Sequence, residues 1–138
     1  MTMKSIMRAA NTRVSELQIF RGEHSTVVMG SVASGKNAML MGMLVQRGAK
    51  DCTMIVTEAN AFEMASKLGD GSYVVRGGLS LESLIESVSY ACAQEREHIF
   101  IEHVNPILGH NIVDILESIT KSFNKHLYVA MQSPRGGL

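Results

Sequence analysis

Residues 25–40 read STVVMGSVASGKNAML, and this stretch decides the fold. The residues before Gly30 have a high β-propensity, because Thr and Val are β-branched. A loop framed by Gly30 and Gly35 follows, and the apolar segment after Lys36 is compatible with a helix. The stretch therefore predicts a strand, a glycine-rich loop and a helix in direct succession.

The spacing within the loop is that of a phosphate-binding loop. Gly30, four intervening residues, Gly35 and Lys36 match the pattern G-x-x-x-x-G-K. In this pattern the glycines let backbone N–H groups turn toward a phosphate, and the lysine reaches the β and γ phosphates. The start of the next helix adds a partial positive charge and unpaired N–H groups. The residues predicted to contact a nucleotide are Gly30, Ser31, Val32, Ala33, Ser34, Gly35, Lys36, Asn37 and Ala38.

One residue departs from this pattern. Ser or Thr normally follows the lysine and coordinates Mg²⁺ through its hydroxyl, whereas this chain has Asn37. An amide oxygen can in principle reach a cation, but the longer side chain has to fold back. Phosphate binding is therefore predicted, and metal-dependent hydrolysis stays open. The alternative is a glycine-rich turn that happens to precede a helix, and the strand before the loop argues against it.

Composition narrows the class of protein. A chain of 138 residues fits one domain that buries most of its apolar surface. Lys plus Arg and Asp plus Glu are both 13, so the overall charge does not indicate nucleic acid or an anionic membrane as a partner. Cys52 and Cys92 are predicted to be buried thiols, which suits a reducing compartment. No apolar run has the roughly eighteen residues of a membrane span, so we expect a cytoplasmic protein without a membrane partner.

The rest of the chain alternates predicted helices and strands. A glycine at residue 48 is the expected cap of the first core helix, and Ser80 is the expected N-cap of a later one. The alternation predicts an α/β fold, a three-layer αβα sandwich with a mostly parallel sheet. We expect a single domain, residues 1–138, with an N-terminal arm (1–24), a core (25–133) and a tail (134–138). Further strands are predicted at 52–57, 73–75, 99–101 and 127–131, and further helices at 3–10, 62–68, 81–94 and 112–123.

Polar residues come directly after three of the predicted strands, namely Glu58, Glu102 and Gln132. In sheets of this type the ligand binds at the carboxyl ends of the strands, so we expect these side chains near the phosphate-binding loop. A carboxylate there suits Mg²⁺ binding or activation of water, and an amide can contact the γ phosphate. Taken singly, each residue is better explained as the first solvated position after a strand, and it is their joint occurrence with the loop that favours a site.

The histidines do not by themselves indicate a metal site. His103 stands beside Glu102, but no second ligand at a suitable spacing accompanies it. A loop or core histidine is therefore the favoured interpretation for His103, and equally for His24, His98, His110 and His126.

Together these segments resemble the ATPase core of RecA-like proteins, with hexameric helicases, circadian-clock ATPases and viral packaging motors as the nearest branches. The resemblance covers roughly residues 25–133. It implies a P-loop NTPase that binds ATP or another NTP with Mg²⁺. In that family Glu58 would activate water and Gln132 would sense the γ phosphate, and with Lys36 they form the expected catalytic set.

The same resemblance implies that Asn37 and Glu102 hold the magnesium ion, with Glu102 standing where Asp is usual. RecA-like strand order places strand 127–131 between the phosphate-loop strand and the Glu102 strand. The chain ends at Leu138, before the fifth strand and the inter-subunit arginine of that family. We therefore expect the phosphate-loop strand to form a sheet edge that residues 3–20 or a neighbouring subunit cover.

The leading hypothesis is an ATP-hydrolysing domain of an oligomeric ATPase that acts on nucleic acid. A homo-oligomer is expected because RecA-like ATPases bind nucleotide at subunit boundaries. The first alternative is a non-hydrolysing nucleotide-binding module that regulates or assembles a partner, which Asn37 favours. The second is a nucleoside or small-molecule kinase, whose lid arginine could only be Arg135.

Overall fold

The computed structural model describes residues 17–31, 35–57, 73–77, 80–104 and 111–132. These ranges contain six strands, three α-helices and a single 3-10 turn at Ala49–Asp51. The strands are β1 (Gln18–Arg21), β2 (Ser25–Gly30), β3 (Cys52–Thr57), β4 (Tyr73–Gly77), β5 (His98–Val104) and β6 (His126–Gln132), and the helices are α1 (Lys36–Arg47), α2 (Leu81–Cys92) and α3 (Asn111–Ser122).

The strands form one sheet in the spatial order β1-β2-β6-β5-β3-β4. The neighbouring strands β2, β6, β5, β3 and β4 are all parallel, and β1 pairs antiparallel with β2. The predicted α/β fold with a mostly parallel sheet is confirmed. The predicted position of β6, between β2 and β5, is also confirmed.

Strand β1 is the element that the sequence patterns missed. It belongs to the segment treated as an arm, and it covers the edge of β2 that would otherwise be unpaired. A three-residue turn joins the two strands, and the Gly22 N–H donates to the Ser25 carbonyl at 2.7 Å. The chain thus covers this edge with its own N-terminal segment, one of the two expected arrangements.

Helices cover both faces of the sheet. On β2, Val27 and Met29 belong to a core cluster that includes residues of α2 and α3, and Val28 belongs to a second cluster that includes residues of α1. We call the two sides the α2/α3 face and the α1 face. Because successive strand residues point to opposite faces, these apolar strands are buried on both sides, as in the predicted three-layer arrangement.

Local signals fixed several helix ends. The Ser80 hydroxyl accepts a hydrogen bond from the Ser83 N–H at 3.1 Å, and α2 begins at the next residue, Leu81. Helix α1 ends at Arg47, where Gly48 has φ 92° and its N–H donates to the Leu44 carbonyl at 3.0 Å. Both caps were predicted from the residue types.

The predicted helix at 112–123 has apolar residues at 112, 115, 116, 119 and 123, the spacing of one helical face, but only part of this apolar stripe is buried. Ile112 and Leu116 are buried, whereas Ile115 is 38 % exposed and Phe123, just beyond the helix, is 48 % exposed. The stripe is wider than the surface through which α3 contacts the core, so its outer members face solvent. The predicted helices at 3–10 and 62–68 lie outside the described residues.

Two further sequence predictions concern thiols and membranes. Cys52 and Cys92 are buried and unbridged, as predicted. In the part of the chain that the structure describes, no helix has the length and apolar character needed to cross a bilayer.

Candidate functional site

The carboxyl ends of the parallel strands meet at one edge of the sheet, which we call the carboxyl edge. β2 ends there at Gly30 and β6 at Gln132, and these two residues are paired across the strands. Helix α1 begins at the same edge with Lys36. The structure thus brings together Gln132 and the described part of the predicted phosphate-binding loop. The predicted site residues Val32, Ala33, Ser34 and Glu58 lie outside the described residues.

Gly35 has the backbone conformation that the loop requires. It is the N-cap of α1 with φ 88° and ψ 15°, in the left-handed region that favours glycine. Its carbonyl accepts the first helical hydrogen bond, from the Met39 N–H at 3.0 Å. No atom lies within 4 Å of the place where a Cβ would stand, so glycine is required here for its backbone and not for space.

The N-terminus of α1 is electrostatically suited to an anion. Gly35 offers no side-chain cap, and the first turn contains no acidic residue. The first N–H groups of a helix point outward and carry a partial positive charge. No acidic side chain of this first turn neutralises that charge, so an anion is favoured at this end of the helix.

Lys36 folds back over the loop. Its Nζ donates to the Ser31 carbonyl at 3.4 Å, a long hydrogen bond, and the side chain is partly buried. Asn37 and Ala38 are exposed in the same helical turn. A phosphate oxygen would offer the ammonium a stronger, charge-assisted partner than this distant carbonyl.

Glu102 lies inside β5, which corrects the prediction that the strand ends before it. The strand continues to Val104 because it stays paired with β6 as far as Met131. Glu102 is only 4 % exposed. One strand, β6, separates it from β2, so the two outer strands are about 10 Å apart at the usual spacing of neighbouring strands.

A β-bulge interrupts β5 at this point. Ile101 pairs with Val129 and Val104 pairs with Met131, so two residues of β5 stand opposite one residue of β6. An extra residue of this kind disrupts the ladder locally and changes the direction of the side chains around it. The bulge therefore controls where Glu102 and its neighbour point.

Asn37 and Glu102 are the predicted magnesium ligands. Among the described residues, no group of three or more His, Cys, Asp and Glu side chains could hold a metal ion. Magnesium at nucleotide sites takes only one or two carboxylates, with phosphates and water as its other ligands. Asn37 and Glu102, both near the carboxyl edge, are compatible with a site of that kind.

A groove of about 490 Å³ runs along α1 next to the loop. Its lining includes Gly35 at one end of the helix and Gln46 near the other, with Arg21 of β1 opposite. The groove shares only Gly35 and Ala38 with the predicted phosphate contacts. It is thus a neighbour of the phosphate site.

The opposite edge of the sheet, the amino edge, holds a polar cluster that the sequence patterns did not predict. The Tyr128 hydroxyl accepts a hydrogen bond from Arg47 Nε at 3.1 Å and pairs with His98 Nδ1 at 3.0 Å. His126 Nε2 pairs with the Thr26 hydroxyl at 2.9 Å. Each of these polar groups has a partner within the fold, which fits the interpretation of both histidines as loop or core residues and not as metal ligands.

Burial sets the protonation of these histidines. It lowers the pKa of His126 to about 4, with the nearby His98 and Arg47 charges acting in the same direction. Burial likewise lowers the pKa of His98. Both rings are therefore neutral at pH 7. The sequence did indicate that these histidines lie at the amino ends of strands, because each directly precedes the apolar run of a predicted strand.

The sequence was also compared with known proteins. No protein-family model matches it, and no match was found among curated proteins.

Proposed function

We propose that this domain binds ATP or another nucleoside triphosphate with Mg²⁺ and hydrolyses it as part of a RecA-like oligomeric ATPase acting on nucleic acid. The observation that carries the proposal is the geometry at Gly35, whose left-handed conformation joins the loop to a helix that begins at Lys36 and has no side-chain cap. A strand, the G-x-x-x-x-G-K loop and a helix in this order form the structural context that the motif requires.

The strand order supports the RecA-like part of the proposal. β6 lies between β2 and β5, the order that the resemblance requires. Gln132 then ends the strand next to the phosphate loop, where an amide can contact the γ phosphate. Glu102 stands one strand further away, at a position suited to a magnesium ion.

The proposed division of labour follows from the chemistry of each group. Lys36 and the N–H groups of α1 bind the phosphates, and Asn37 and Glu102 hold Mg²⁺ directly or through water. Glu58 activates the attacking water as a general base. Gln132 reports the presence of the γ phosphate to the rest of β6.

The first prediction tests phosphate binding. Lys36→Ala removes a charge-assisted contact, so we expect a loss of affinity for an ATP analogue of roughly ten- to a hundredfold, measured by calorimetry. Lys50→Ala is the matched control, because Lys50 is an exposed lysine beyond the other end of α1. Equal affinity of the wild type and a folded Lys36→Ala variant would exclude the phosphate-binding loop.

A second candidate function is a non-hydrolysing nucleotide-binding module. Asn37 favours it, because the residue occupies the position of the usual metal-binding hydroxyl and is exposed in the first turn of α1.

The second prediction separates the two candidates. If metal ligation limits turnover, Asn37→Thr should raise Mg²⁺-dependent phosphate release by about tenfold, equivalent to about 1.4 kcal/mol of activation free energy. Ala38→Thr, one residue further along, is the control. Absence of phosphate release from the wild type and from Asn37→Thr, with nucleotide still bound, would favour the non-hydrolysing module. The same phosphate-release assay with single-stranded DNA or RNA tests whether nucleic acid is a partner. Light scattering with Mg²⁺ and an ATP analogue tests whether the chain forms a homo-oligomer.

A further inference from the structure

The bulge in β5 changes which side chains share a face of the sheet. In a regular strand, residues three apart point to opposite faces. Ile101 and Val104 are three apart, yet both belong to the core cluster on the α2/α3 face. The two residues between them, Glu102 and His103, stand opposite the single residue Ala130. We infer that the bulge turns both Glu102 and His103 toward the α1 face.

The α1 face is the side on which the phosphate-binding helix lies. Phe100 of β5 packs in the same cluster as Leu40 of α1. Glu102 is two residues beyond Phe100 toward the carboxyl edge, about 7 Å along the strand. Lys36 is one helical turn before Leu40 in the same direction, about 6 Å along the helix. The bulge therefore lies near the first turn of α1.

His103 differs from the two structural histidines in its surroundings. His98 and His126 each have a hydrogen-bonded hydroxyl partner. Within the described part of the chain, the His103 ring takes part in no hydrogen bond, and it is partly exposed while Glu102 beside it is buried. An imidazole placed in this way is available to a ligand.

We propose that His103 is a further functional residue of the nucleotide site and donates a hydrogen bond to the terminal phosphate. This proposal rests on the proposed nucleotide binding. An ionised carboxylate can only accept hydrogen bonds, so Glu102 can approach phosphate oxygens only through a cation or a donor. The N–H group of His103 supplies such a donor beside it.

The first test observes the imidazole directly. The full chain, labelled with ¹⁵N at histidine, is titrated with Mg²⁺ and a non-hydrolysable ATP analogue, and His103→Gln assigns the resonance. The His103 signal is expected to shift as nucleotide is added and to give the same dissociation constant as calorimetry. The His98 and His126 signals at the amino edge should stay in place. Saturable binding that leaves the His103 signal unmoved would overturn the proposal and leave nucleotide binding intact.

The second test separates contact with the terminal phosphate from a structural role. His103→Ala should weaken binding of the ATP analogue about tenfold and leave ADP binding unchanged, because ADP lacks the contacted group. His103→Gln keeps an N–H donor and should recover most of the affinity. Equal losses for both nucleotides would assign His103 a structural role. No saturable binding of either nucleotide to the wild type would overturn the proposed function and this proposal together.

Discussion

The two edges of the parallel sheet contain similar polar residue types in opposite situations. At the amino edge, Arg47, Tyr128 and His98 form a continuous hydrogen-bonded chain, and Tyr128 also stacks on Phe100 with ring centroids 4.1 Å apart. At the carboxyl edge, Lys36 donates to the Ser31 carbonyl at 3.4 Å among the described residues, beside a helix start that has no side-chain cap. Polar groups that satisfy one another stabilise the fold, whereas charge that the fold does not neutralise is available to a ligand.

This difference shows why the presence of histidines alone does not mark a functional site. Two of the five histidines lie in the amino-edge cluster, where burial lowers their pKa values and removes their charge. The phosphate binding proposed at the carboxyl edge depends instead on Lys36 and on the backbone geometry of Gly35. Amino-edge substitutions should therefore change stability without changing nucleotide affinity, and carboxyl-edge substitutions should change affinity.

The largest effect on stability is expected from Tyr128→Phe. The variant keeps the ring that stacks on Phe100 but removes the hydroxyl, so Arg47 Nε and His98 Nδ1 lose their shared partner. We expect the free energy of unfolding, measured in urea, to fall by about 1–3 kcal/mol. Nucleotide affinity should stay within twofold of the wild type. A change in affinity with unchanged stability would reverse the roles assigned to the two edges.

A loss of stability of about 2 kcal/mol is expected from His126 on acidification. The ordinary pKa of histidine is about 6.5 in the unfolded chain, and burial lowers it to about 4 in the fold. Between these values the unfolded state binds more protons, so the stabilisation present above pH 6.5 is lost as the pH falls toward 4. The magnitude allows for the partial exposure of the ring.

His98 acts in the same direction, and carboxylates contribute a separate acid dependence. The test therefore measures the free energy of unfolding in urea at pH 7 and at pH 4.5, for the wild type and for His126→Gln, and compares the loss between the two pH values. The variant should lose less stability over this interval. Parallel losses in the two proteins would show that His126 does not control the acid response.

The smallest effect is expected from a pair of glycines on α1. Gly35→Ala places a Cβ on a left-handed residue and should destabilise by about 1–2 kcal/mol, with weaker nucleotide binding. Gly42→Ala lies in the regular helix and should stabilise by about 0.5–1 kcal/mol. Both positions have open space for a Cβ, so the pair isolates backbone conformation. Thermal unfolding measures the change in stability of each variant. Changes of the same sign in the two variants would contradict the role assigned to backbone conformation.

The sequence by itself determined the local elements around the candidate site. The strand from Ser25, the helix from Lys36 and the caps at Gly48 and Ser80 follow from residue types whose effects act over a few positions. The alternation of apolar strands and helices also fixed the fold class. Such features depend on neighbours along the chain, so they can be read without the three-dimensional structure.

Tertiary structure alone decided how distant segments pair. No local sequence signal predicts the pairing of β1 with β2, because β1 is a short segment of mixed polar and apolar residues. The bulge at Glu102 is defined only by the register between β5 and β6. The amino-edge cluster joins residues up to 100 positions apart, such as Thr26 and His126. Register and long-range hydrogen bonding result from packing the whole sheet, and no single segment of the sequence contains that information.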